Sequence, residues 1–70
     1  MTQNQKVLRH LREQGGITPV IAMSEYGIMR LASRIADLRR MGYDIHGELV
    51  EGVNRYGEKT HYSMYFLWES

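Results

Sequence analysis

In the stretch YGIMRLASRIADLRRMGYDI, residues 26–45, Arg30, Arg34, Arg39 and Arg40 precede Gly42 with Asp37 as the one acid among them, and the stretch closes on Gly42-Tyr43-Asp44-Ile45. At roughly 100° per residue, Leu31, Ile35 and Leu38 fall within about 60° of one another and form a stripe to be buried. Ser33, Ala36, Asp37 and Arg40 lie on the opposite side, Arg30 sits at its edge, and Arg34 and Arg39 flank the stripe. The spacing predicts an amphipathic third helix over about residues 29–41. Its outward face carries arginines, and its small residues let it approach another surface closely. After Gly42 the hydrophobic period falls from 3.6 to 2, so helix gives way to strand there.

Working outward, TQNQKVLRHLREQGG opens with Thr2 as a candidate N-cap and sets Val7, Leu8 and Leu11 on one face. Arg12 suits the negative end of a helix dipole and Gly15-Gly16 stops the helix, so a first helix is expected over about residues 2–14. In ITPVIAMSEYG, Thr18 precedes Pro19 at a first helical position, where a missing N–H costs nothing. A second helix is expected over about 19–25 and ends at Gly27. A short helix, a tight glycine turn and a longer helix make the helix-turn-helix pattern. In simple repressor-type versions a small residue sits four positions before the turn glycine; here Ala22 precedes Gly27 by five.

Downstream, Tyr43, Ile45, Gly47 and Leu49 alternate with Asp44, His46, Glu48 and Val50, and Tyr62, Met64, Phe66 and Trp68 alternate with His61, Ser63, Tyr65 and Leu67. Two strands follow, over about 43–51 and 59–68, with Asn54 and Gly57 as turn residues between them. A lone hairpin is marginal in water, so it must pack on the helices. The aromatic stripe Tyr62, Met64, Phe66 and Trp68 is the simplest choice for the packed side. Tyr65 and Leu67, with an open edge on the last strand, would then leave a route to a homodimer. The fold class is α+β: a three-helix winged helix-turn-helix with a C-terminal β-hairpin wing, one domain spanning residues 1–70.

The composition narrows what such a domain can be. A chain of 70 residues buries only about 60% of the surface its unfolded form exposes. There is no cysteine to staple it, and His10, His46 and His61 have no ligand-like spacing, so neither metal nor cofactor is expected. No histidine joins a Ser-His-Asp frame, no carboxylates pair, and EQGGIT lacks the lysine of a phosphate loop, so an enzyme is not expected. With 24% charged residues, no long apolar run and no apolar leader, the expectation is a soluble cytoplasmic protein without membrane contact. Net charge is only +1, but cations concentrate in the helical half and acids in the hairpin.

The line ITPVIAMSEYGIMRLASRIADLRRMGYDI also resembles a group of small winged helix-turn-helix domains of bacteriophage and prophage proteins. They share ITP…A…YGI.RLA.RI.DLR..GY.I, an NR.G hairpin tip and a Y..Y.L end. The likeness runs from Ile17 to about Leu67. By position, Ile17, Thr18 and Pro19 match the start of helix 2. Leu31, Ala32, Arg34, Ile35, Asp37, Leu38 and Arg39 match helix 3, and Gly42, Tyr43 and Ile45 the lead-in to the wing. The resemblance implies a phage-type DNA-binding or regulatory protein in a bacterial host cytoplasm.

The expected partner is double-stranded DNA, bound by a small regulator or recombination accessory factor with helix 3 in the major groove. Arg30, Ser33, Asp37 and Arg40 would face bases or backbone, since phosphates supply affinity and arginine forks read guanine. Thr18 would lead into a helix N-terminus that offers N–H groups to a phosphate. Arg55 and Lys59 would steady the wing, although charged hairpin tips also serve solubility alone. Arg34 and Arg39 lie beside the buried stripe and read first as structural, with Arg34 kept among the candidate contacts. Asp37 is also spaced for local ion pairs with Arg34 and Arg40. The alternative is a phage protein that uses the same face to bind an acidic surface on a host protein.

Overall fold

The computed structural model describes residues 1–69. Helices α1 (Gln3–Gln14), α2 (Pro19–Tyr26) and α3 (Leu31–Arg40) precede strands β1 (Asp44–Val53) and β2 (Lys59–Trp68), which pair antiparallel. Three helices and a hairpin in this order form a winged helix-turn-helix.

Thr2 caps α1 reciprocally with Gln5: the Thr2 hydroxyl accepts from Gln5 N–H at 3.1 Å, and the Gln5 side chain accepts from Thr2 N–H at 2.8 Å. Two donors that a helix start leaves without partners are thereby satisfied. The α3 C-terminus is closed as tightly. Gly42, at φ 103°, donates to Arg39 O at 3.0 Å, and Tyr43 N–H donates to Leu38 O at 3.1 Å. This paired return needs the left-handed conformation at Gly42, and it aims the chain from helix into wing.

The core joins the three helices to β1: Val7 and Leu11 from α1, Ile17, Ala22 from α2, Ile28 from the turn, Leu31, Ile35 and Leu38 from α3, and Ile45 from β1. His10 is buried with them, its Nδ1 2.6 Å from the Tyr26 hydroxyl, so a polar bond ties α1 to α2. Ile17 bridges to the sheet as well. It exchanges both backbone hydrogen bonds with Tyr65, at 3.0 and 2.9 Å, and so covers part of the β2 edge expected to be open.

The hairpin packs with the face opposite to the one expected. Ile45 pairs with Leu67 and Gly47 with Tyr65, and directly paired residues share a face. Tyr65 and Leu67 therefore pack on the core beside Ile45, while Trp68 is 66% exposed and lies against His46, with ring centroids 5.3 Å apart. Both faces of β2 are apolar, so alternation cannot choose between them. The choice is made by the lead-in, because Ile45 enters the core one turn after Leu38. Met64 and Phe66 are half-buried instead against Gly16, where a Cβ would stand 3.1 Å from each side chain.

Candidate nucleic-acid interface

The turn that sets α3 against α2 is built from backbone. Gly27, at φ 68°, donates to Met23 O at 2.9 Å, and Ile28 N–H donates to Ala22 O at 3.0 Å. Ile28 plugs the turn from inside, and the fully buried methyl of Ala22 lets the elements close on it. The turn thus occupies Gly27 to Arg30, and α3 begins at Leu31, two residues later than its periodicity indicates. Met29 projects into solvent, and Arg30 becomes the N-cap residue of α3 rather than part of its first turn.

With Leu31, Ile35 and Leu38 buried, the opposite side of α3 is open to solvent. Arg30, Ala32 and Ser33 are exposed, and among the described residues no carboxylate lies within salt-bridge distance of Arg30. Near the C-terminal end, Arg40 reaches out with its side chain 71% exposed and its Nη2 bonded to Asp37 Oδ1. The other Asp37 oxygen lies 3.2 Å from Arg34 Nη2 and accepts from Asn4 Nδ2 at 3.4 Å. Asp37 is thus turned toward α1. Arg34 is half-buried beside it, and its Nε is enclosed without a hydrogen-bond partner.

Arg39 differs from its neighbour. Its Nε and Nη2 donate to the Ile45 carbonyl at 3.0 and 2.9 Å, and its guanidinium lies 6.0 Å from the centre of the Tyr65 ring. That side chain fastens β1 to α3.

The two helix starts also differ. The Thr18 hydroxyl, buried, accepts from Ile21 N–H at 3.2 Å, and Pro19 has no N–H to give. The start of α2 therefore has little left for a phosphate. At the start of α3, Arg30 provides no side-chain cap, and the N–H groups of Leu31 and Ala32 have no acceptor among the described residues. These donors lie at the positive end of the α3 dipole, where anions are favoured.

At the wing tip, Asn54 builds the turn: its Oδ1 accepts from Tyr56 and Glu58 N–H at 2.9 and 3.0 Å. Arg55 lies 5.9 Å from the Tyr56 ring centre, both exposed. Lys59 sits 3.4 Å from Glu51 across the strands. Of the eight candidate contacts read from sequence, the fold leaves Arg30, Ser33 and Arg40 exposed, Ser33 and Arg40 on the outward side of α3 and Arg30 at its N-cap. Thr18 and Arg34 are turned inward, Asp37 is engaged by three partners, and Arg55 and Lys59 stand apart on the wing. Asn4 was not among the candidates; no local motif marks it, since it meets Asp37 across 33 positions of sequence.

A buried turn that holds one helix against another and leaves the second facing outward, with a hairpin springing from its end, defines a helix-turn-helix protein with a wing. The chain belongs to the winged helix-turn-helix domain family, which matches it over residues 2–70. Nothing among curated proteins or solved structures matches it. DNA binding is the general function to which membership of this family points. No helix among the described residues is long and apolar enough to cross a membrane.

Proposed function

We propose that this chain binds double-stranded DNA with the outward face of α3 in the major groove, as a small phage-type regulator or recombination accessory factor. One observation carries the reading: Arg40 projects from the solvent-facing side of a helix whose other side is committed to the core, and the exposed Arg30 caps the start of that helix. The residues between them on that side, Ala32, Ser33 and Ala36, are small, so the helix backbone can approach base edges. The open N–H groups at the start of α3 add neutral donors for a phosphate, which position without specifying. Arg55 at the wing tip would make a further backbone contact. The phage-type assignment rests on the resemblance of the ITP…YGI.RLA.RI.DLR..GY.I line.

Fluorescence anisotropy with a random-sequence duplex at two salt concentrations tests this, comparing wild type with the Arg30→Ala/Arg40→Ala double variant. Phosphate contacts should weaken binding by about 0.9 log units per contact per log unit of salt, and the double variant should show a shallower slope. On a preferred site, each single replacement should cost about 1–3 kcal/mol if the arginine reads a base. A folded wild type that binds no duplex at low salt would redirect the arginine face to an acidic protein surface.

A further inference from the structure

We infer that Asp37 is a positioning residue for DNA discrimination: it fixes the Arg40 guanidinium on the outward face of α3, so that the arginine meets one base pair in one geometry. The inference rests on the DNA reading above. An acid set among the arginines of a DNA-binding helix opposes phosphate binding, so any gain lies in its effect on its neighbours.

The geometry separates Asp37 from an ordinary surface ion pair. Arg9 and Glu13 form such a pair on α1, at 2.7 Å with both side chains more than half exposed, and either partner can move. The Asp37 side chain is 26% exposed and both its oxygens are engaged, Oδ1 by Arg40 and Oδ2 by Arg34 and Asn4. Asn4 belongs to α1, so the carboxylate is tied to two helices that pack together. Arg40 is the exposed member of this cluster, with Nη2 engaged by Asp37 and its side chain 71% exposed. A fork anchored at one nitrogen keeps donors for guanine O6 and N7, but loses the freedom to swing onto a neighbouring phosphate.

Asp37→Asn keeps the side chain's size and removes its charge. Its affinity for a random duplex should rise, because the charge that offsets Arg34 and Arg40 next to the outward face is removed. The ratio of affinities for a duplex selected from a randomised library over a random duplex should fall by about two- to tenfold, the scale set by freezing one arginine side chain. In an Arg40→Ala background the same replacement should leave that ratio unchanged, because Asp37 acts through Arg40. Asn4→Ala, which releases the carboxylate from α1 with no change of charge, should lower the ratio less and leave the salt slope as it was. Thermal melts of each variant separate these effects from loss of folding. An unchanged ratio in Asp37→Asn and Asn4→Ala would overturn the inference, as would an equal fall with Arg40 absent. In both of those cases wild type still binds DNA. A folded wild type that binds neither duplex would remove the DNA reading and this inference together.

Discussion

The two ends of the hairpin show what holds each half of this molecule. At its root, Ile45 is 5% exposed, Tyr65 lies over Gly47, and Arg39 grips the Ile45 carbonyl. Four positions on, along the same face of β1, Leu49 is 72% exposed. Nothing in the sequence pattern changes between these positions; the helices simply end. Beyond that point the wing is held by strand pairing, by the Tyr62 ring over Gly52 and by the hydrogen bonds of Asn54. A hairpin supported at one end only should open locally from its tip at a free energy well below that of global unfolding.

Leu38→Ala and Leu49→Ala put the largest numbers on this contrast. Leu38 is fully buried between α1 and the hairpin root, and its truncation should cost about 2–5 kcal/mol in chemical denaturation. Leu49→Ala should stay within about 0.5 kcal/mol. Equal losses would mean that the distal wing is covered in solution and would break the comparison. Gly42→Ala probes the hinge between the regions. At φ 103° an added Cβ is strained, and destabilisation of about 1–2 kcal/mol is expected. A neutral result would place the wing's anchoring in the Arg39 bridge instead of the backbone return.

Much of this arrangement was legible from spacing. The stripe Leu31, Ile35 and Leu38 is buried as its periodicity indicates, Thr18 and Pro19 open α2, and the change of period after Gly42 marks the wing. Local signals of this kind act within a turn or two of chain. What escaped them depends on distance. Ile17 was read only as the lead-in to the second helix, yet it is a sheet partner of Tyr65. The packed face of β2 was misread because both of its faces are apolar and only the pairing of Leu67 with Ile45 decides between them. In the candidate site, the arginine face was visible as an angle on a helical wheel. The split between Arg39 and Arg40, adjacent in sequence and opposite in use, was visible only in part. Flanking the stripe marked Arg39 as structural, but its acceptor lies on β1. The inward turn of Asp37 toward Asn4 left no local trace at all.

The smallest expected effect also concerns the root of the hairpin, where the residue after β2 meets α1. Arg12 donates from Nε and Nη2 to the two Glu69 oxygens, each at 2.8 Å, and its guanidinium lies 5.6 Å from the centre of the Tyr43 ring. The bond to Arg12 holds the Glu69 carboxyl below the usual carboxylate range. A depressed folded-state value means that this contact stabilises the fold fully above the ordinary glutamate value, near about 4.3, and loses its effect as pH falls through the depressed value. The pair is well exposed and screened by salt, so the effect is modest. Melts of wild type and Glu69→Gln should therefore differ slightly near neutral pH and converge in acid. A difference that persists undiminished in strong acid would show that Glu69 acts by packing rather than by charge. The root of the wing would then be held by contacts such as those of Tyr43, Ile45 and Arg39, and the contrast between root and tip would rest on packing and backbone hydrogen bonds alone.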